Sequence, residues 1–470
     1  MSLPHLPHTV FAVLAALFSG GLLAQAVPPT VTAALSRAQI PLEAVSLLVI
    51  DAEGPQPAYL SYRAEVPLNP ASVMKLVTTY AALDLLGPAY SWRTPVYIDG
   101  PIRDGTLFGN LSIEGLGDPK LVAERLWLLL RRVQGLGIHA IAGDIVLDRS
   151  AFAAVESDAA SFDGEPLRPY NAAPDALLVN FKAMVMTFMP NLAANNAQVQ
   201  YEPPLTGVQR PSSVPLSSGA CGNYRSTLQA DFSDATRIHF AGSYPASCAV
   251  QSWAVAYADP TSFSARAISG LWREMGGTLG GVVREGRVPA QAPAFEVNSP
   301  PLAEVIRDIN KYSNNVMAQQ LLLTLSLAPP RPATTGASRE VVRRWWQSRI
   351  GAGSETLELD NGAGLSRSAR ISAQALARLL QTAYRSPLMP ELMASLPIVG
   401  VDGTLRRRST LALGGAHLKT GSLRDVSAIA GYVHAASGKR LVLVAMVNHP
   451  NAGAARPAME ALVEWAAREH

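Results

Sequence analysis

The chain has 470 residues, 48% of them hydrophobic and only 16% charged, which is enough apolar side chain for an extensive core in about two to four domains and excludes a disordered polyelectrolyte. The formal net charge of +3 is spread without basic blocks, so no nucleic acid is expected as a partner. Its eight histidines form no cluster of metal-ligand spacing, and the reading requires no metal and no cofactor.

From Thr9 to Ala24 the chain is apolar or small, and Ala24-Gln25-Ala26 fits a small-x-small cleavage site. Residues 1–26 therefore read as a signal peptide and the mature chain as exported and periplasmic. The n-region lacks Lys and Arg, and an uncleaved anchor helix is the competing reading. No later stretch reaches the ~18 consecutive apolar residues of a span, so no stable membrane span is expected after cleavage. In an oxidising compartment the two cysteines, Cys221 and Cys248, read as one disulfide, against two buried free thiols.

"AVSLLVID" (44–51) predicts a buried strand, hairpinned to "AYLSYRA". "NPASVMKLVTTYAALDLLG" (69–87) predicts a short loop and an apolar helix stopped by Gly87-Pro88. From about Ser91 to Val288 short strands alternate with Gly, Pro, Asn and Ser turns, with helical spacing only in "LVAERLWLLLRRVQGLG" and "SFSARAISGLWREMGG". After Pro300 helices return, and the end is β-rich: "HLKTGSL", "SAIAGYVHA" and "RLVLVAMVNH". The last segment places Met459, Leu462, Val463, Ala466 and Ala467 on one face and Glu460, Glu464 and Glu469 on the other. That predicts a core-packing helix instead of a membrane anchor, because acidic residues repel anionic lipid. The piece before Ser91 is too short to fold alone. The expected organisation is one α/β (α+β) unit, 27–90 and 289–470, carrying an inserted mostly-β region, 91–288, in two subdomains.

The chemistry rests on three short motifs. Ser72 and Lys75 lie three apart and share a helix face. A serine hydroxyl needs a base, and a lysine can be that base if burial or a neighbouring cation lowers its pKa. Taken alone the pair reads as a cap and a snorkelling lysine. Ser313-Asn314-Asn315 interrupts an apolar helical pattern, offering a hydroxyl relay and an amide. Lys419-Thr420-Gly421-Ser422 lies on a late strand. There Lys419 supplies the second cation, Thr420 and Ser422 can bind a carboxylate, and Gly421 leaves the strand open to substrate. The whole chain has six lysines, and Lys75 and Lys419 occupy the two positions where this chemistry needs one.

The order S-x-x-K, S-x-N, K-T-G is the motif set of penicillin-interacting serine enzymes. With it, "IEGLGDPKL", "YNAAPDALLVN", "INKYSNNVMAQQLL", "DNGAGLSR", "VDGTLRRR" and the long gap between Lys75 and Ser313, the chain resembles the class C low-molecular-mass penicillin-binding proteins, exported D-alanyl-D-alanine carboxypeptidases/endopeptidases. The resemblance implies a penicillin-binding/β-lactamase-like domain with an antiparallel sheet flanked by helices. It implies hydrolysis of D-alanyl bonds in peptidoglycan peptides through a Ser72 acyl-enzyme, with β-lactams as covalent inhibitors. Lys75 would be the base, Ser313 and Lys419 a proton relay, and Asn315 a substrate contact. Thr420 and Ser422 would take the terminal carboxylate. It also places Arg367 on the carboxylate of a diaminopimelate side chain, and Asp163 or Glu165, with Tyr170, near its amine. A solvated surface arginine is the plain alternative for Arg367. Asp360 and Asp402 read as loop-fixing residues. A β-lactamase-like hydrolase would use the same motifs but needs an added deacylating base, and no glutamate stands out. A non-catalytic cell-wall-binding protein would not need the motif residues intact.

Overall fold

The C-terminal strand Arg440–Asn448 has seven consecutive buried residues, Leu441 to Val447, because it is covered on both faces. It sits at the centre of a five-stranded sheet, in the order Ala416–Leu423, Val426–His434, Arg440–Asn448, Val45–Asp51, Leu60–Tyr62, every pair antiparallel. The two ends of the chain thus build one sheet. The computed structural model describes residues 26–468 apart from 55, 155–157, 329–331, 352–356 and 409–411. Residues 1–25 of the expected signal segment, and Glu469, lie outside the described residues. Among the described residues no helix is long and apolar enough to cross a membrane.

Side-chain alternation splits the sheet between two cores. Leu47, Val49, Leu441, Leu443, Ala445 and Val447 join one with Val31 and Leu35 of the first helix (Pro29–Arg37) and Leu462, Val463 and Ala466 of the last (Arg456–Arg468). The C-terminal helix is therefore a packing helix, as its apolar face predicts. Leu48, Ala430, Tyr432, Val442, Val444 and Met446 join the other core with Val77, Tyr80, Leu379 and Leu380. The helix Lys75–Leu86 is buried from Lys75 through Leu83, so it is a shaft through that core.

Residues 96–295 supply a separate apolar cluster, running from Val96 to Phe295 without members from outside that span. It is shared by two five-stranded sheets and a four-stranded one, with the helices Ala123–Gly135 and Phe263–Glu274 among them. Cys221 and Cys248 form a disulfide there. The segment leaves and returns at one place. Arg93–Asp99 pairs antiparallel with Phe295–Asn298, Trp92 N donates to Ser299 Oγ at 2.9 Å, and Ser299 N donates to Trp92 O at 2.9 Å.

Candidate active site

Ser72 lies in a 3₁₀ turn, Ala71–Met74, and the α-helix proper begins at Lys75. The turn is prepared by a residue in left-handed backbone, Ala71 at φ 46°, a conformation that costs a non-glycine residue about 1 kcal/mol or more. Asn69 holds it there: its Oδ1 accepts from Ala71 N at 2.9 Å while its Nδ2 donates to Ser366 O at 2.8 Å. Neither Ser72 nor Lys75 caps the helix, so the cap-and-snorkel reading fails. Lys75 is fully buried, and its Nζ uses three donors: to Ser72 Oγ at 2.9 Å, to Asn315 Oδ1 at 2.7 Å and to the carbonyl of Ala363 at 2.6 Å. Burial, and then the positive charge of Lys419, push its pKa well below the ordinary lysine value.

The second serine sits between two helices, Leu302–Lys311 and Asn315–Thr324. Asn314 caps the second of them, accepting from Met317 N at 3.0 Å. Ser313 is in left-handed backbone at φ 57°. Lys419, also fully buried, donates from Nζ to Ser313 Oγ at 2.9 Å and to the carbonyl of Thr420 at 2.7 Å. Burial lowers its pKa to about 7. Two buried lysines thus address two half-buried serines, and the side chain of Asn315 is bonded to the first lysine.

Gly421 has a different role from the one its sequence context suggests. A Cβ built on it would lie 2.5 Å from Pro70 O and 3.0 Å from Ser72 N. The missing side chain lets the strand press against the serine turn; it does not open the strand to substrate. Thr420 and Ser422 alternate with Gly421 along this edge strand. Thr420 Oγ1 shares a 2.8 Å hydrogen bond with Thr404 Oγ1, from the short turn Gly403–Leu405. Asp402 anchors that turn, accepting from Ile398 N at 2.9 Å and from Lys311 Nζ at 2.5 Å. Asp360 pairs with Arg339 at 3.0 Å. Both aspartates fix loops.

The remaining sequence candidates gather on an exposed segment next to this cluster. Tyr170 OH donates to Asp163 Oδ2 at 2.8 Å, and Asn171 Nδ2 donates to Asp163 Oδ1 at 2.8 Å. Glu165 pairs instead with Arg168. Arg367 stacks its guanidinium on Phe162, 4.6 Å from the ring centroid, and reaches Asp425 at 3.2 Å. The segment is tied to the buried cluster by Asn315 Nδ2, which donates to the carbonyl of Tyr170 at 3.2 Å. Asp163, Tyr170 and Arg367 therefore border one neighbourhood, although Arg367 already has partners. Sequence reasoning missed Ala363, whose carbonyl holds Lys75, and Thr404. "DNGAGLSR" and "VDGTLRRR" signalled the loops, but a backbone carbonyl has no residue signature.

A fully buried, acid-free pair of lysines each bonded to a serine suits acyl transfer, in which one amine takes a hydroxyl proton. Known proteins agree. A family model described as D-Ala-D-Ala carboxypeptidase 3 (S13) matches residues 29–469. The chain is 30% identical over 419 residues to the D-alanyl-D-alanine carboxypeptidase of Actinomadura sp. (strain R39), covering 84% of this chain and 75% of the relative. The fold matches the crystal structure of penicillin binding protein 4 (dacB) from Haemophilus influenzae, with TM-score 0.72, 23% identity, and coverage of 92% of this chain and 99% of that one. The structure of that protein complexed with a novel β-lactam gives TM-score 0.68 at 23% identity, covering 93% and 99%. The chain belongs to the D-Ala-D-Ala carboxypeptidase 3 (S13) family and is a serine peptidase of peptidoglycan peptides, of the low-molecular-mass penicillin-binding type.

Proposed function

We propose that Ser72 is the nucleophile and Lys75 its base. The observation that carries this is the 2.9 Å contact between Lys75 Nζ and Ser72 Oγ at a lysine whose pKa is pushed well down. Neutral Lys75 takes the hydroxyl proton as Ser72 Oγ bonds to the carbonyl carbon of the D-alanyl peptide. The oxyanion is held by the backbone N–H groups of Ser72 and Ser422. Ser313, held by Lys419, passes a proton to the leaving amine, the C–N bond breaks, and water later hydrolyses the ester. Asn315 orients Lys75 through its Oδ1, in addition to any contact with substrate. Thr420 and Ser422 take the terminal carboxylate. Asp163 and Tyr170, with Arg367 beside them on Phe162, recognise the diaminopimelate side chain, for which Arg367 must leave Asp425.

The same serine is acylated by β-lactams, by analogy with the β-lactam complex of the Haemophilus structure. Residues 27–90 and 289–470 form the catalytic unit and 91–288 the insertion, a division supported by the separate apolar cluster of 96–295. The disulfide and the apolar N-terminus support an exported, periplasmic enzyme. Digestion of crosslinked and uncrosslinked muropeptides, with Ser72→Ala as control, tests the reading and measures the endopeptidase and carboxypeptidase shares. A Ser72→Ala protein that still cleaves, or still bonds labelled penicillin at this site, refutes it.

A further inference from the structure

Behind the strand Ala416–Leu423 lies a small cavity of about 40 Å³, large enough for more than one water. Thr420, Ser422 and Ser427, with Arg408 and Arg456, are among the residues that line it. Most of the rest is apolar, including Val399, Ile429 and Val463. Both arginines are bound to the same acid: Arg408 Nη1 to Glu460 Oε1 at 2.7 Å and Arg456 Nε to the same oxygen at 2.9 Å. Two guanidiniums and one carboxylate leave the group with one net positive charge. Arg408 is its better-buried cation, with a side chain 25% exposed against 54% for Arg456. Its backbone is fixed by a turn, Arg408 N donating to Leu405 O at 3.0 Å.

A carboxylate taken out of water against neutral hydroxyls alone is poorly compensated, because its desolvation is met without opposite charge. Lys75 and Lys419 are committed to Ser72 and Ser313. The Arg408 group lines the same cavity as Thr420 and Ser422 and carries the opposite charge, which the cavity's apolar walls screen weakly. Glu460 fixes the direction of the guanidinium, and Thr404 orients the hydroxyl of Thr420.

We propose that Arg408, oriented by Glu460, is a specificity-determining residue that selects substrates with a free terminal carboxylate beside Thr420 and Ser422. This rests on the peptidase reading above, with Ser72 as nucleophile. It assigns Arg408 no part in the proton transfers.

The test compares an acylated peptide ending in D-Ala-D-Ala as free acid with the same peptide as C-terminal amide. In Arg408→Gln, kcat/KM for the acid falls about tenfold, mostly through KM, while the amide is unchanged, the size expected for losing a charged partner. Arg408→Lys retains most of the acid preference. Glu460→Gln, whose amide oxygen still accepts from both guanidiniums and keeps Arg408 oriented while one net positive charge is added, raises the acid-to-amide ratio and serves if Arg408→Gln does not fold. An Arg408→Gln ratio equal to the parent's, whether both rates hold or both fall, overturns the proposal. So does a Glu460→Gln ratio that is unchanged or lower. Labelling with penicillin separates the two readings. If Ser72→Ala still labels at the site, the peptidase reading has failed. If Arg408→Gln labels normally but keeps the parent ratio, only the role of Arg408 has.

Discussion

Lys419 and Ser313 are 106 residues apart in sequence and meet at 2.9 Å through a lysine with no solvent exposure. The same lysine is the second cause, after burial, of the low pKa of Lys75. One buried lysine therefore reaches two serines: it bonds one directly and lowers the pKa of the lysine that bonds the other.

The pH profile follows from that coupling. On the proposed roles, acylation of Ser72 requires neutral Lys75 and gains from charged Lys419, whose own pKa is about 7. Removing the like charge favours the protonated form of Lys75, so Lys419→Met raises the Lys75 pKa. The acid limb of kcat/KM for penicillin acylation should move to higher pH in that variant. A limb that stays put, or moves down, would show that Lys419 does not control the base.

Asn315→Asp asks the opposite electrostatic question. It puts a carboxylate where an amide oxygen now lies 2.7 Å from Lys75 Nζ. A close opposite charge shifts a pKa by about 1–3 units toward the charged form. Activity at neutral pH should drop by at least about tenfold and recover at alkaline pH. Loss without alkaline recovery would mean that Asn315 acts on the substrate alone.

Gly421→Ala tests the contact between strand and serine turn. The added methyl meets backbone at 2.5 Å and 3.0 Å, atoms that cannot swing aside as a side chain can. Penicillin acylation should slow by about a hundredfold, because small misplacements of a nucleophile are costly. Far-ultraviolet circular dichroism should be unchanged, since the strand keeps its ladder to Val426–His434. Parent-like acylation would show that the turn has slack.

The stacked pair His417 and His434, ring centroids 5.6 Å apart, gives the sheet an acid sensitivity. Burial depresses both pKa values, and Lys311 beside His417 and Arg440 beside His434 act in the same direction, partly opposed at His417 by its bond to the Met393 carbonyl and by Asp402. Unfolded histidines bind protons from about pH 6.5 downward while the folded ones resist, so stability is complete above that pH and declines as the pH falls through the folded values. His434→Phe keeps an aromatic ring against His417 and removes one titrating group. Its melting temperature should fall less than the parent's between pH 7 and pH 5, as read by calorimetry; an equal fall would place the sensitivity elsewhere.

The elements that sequence predicted well are those whose residues announce their own burial. Arg440–Asn448 reads as a covered strand because a strand buried on both faces has no polar positions to interrupt it. Ser72 and Lys75 declare a shared face by their spacing, and the polar break at Ser313 divides two apolar helices. What stayed hidden is long-range and often backbone. No spacing rule connects Tyr170 O to Asn315, or Ala363 O to Lys75. Gly421 was misread for the same reason: its neighbour is the main chain of Pro70 and Ser72, about 350 residues earlier.

The meeting of Trp92 and Ser299 gives the chain an unusual freedom. Their main-chain groups already touch, so joining 92 to 299 directly would close a gap only one hydrogen bond wide. What such an excision removes is contact, not continuity: Asn315 loses the carbonyl of Tyr170, Gln320 loses the backbone of Asp175 that it bonds at both ends of its amide, Ala333 loses its bridge to Phe152, and the proposed side-chain site loses Asp163 and Tyr170. The insertion is a module seated in a socket, registered by polar contacts from Asn315 and the buried Gln320 and by apolar contacts such as those of Phe152 with Leu323 and Ala333.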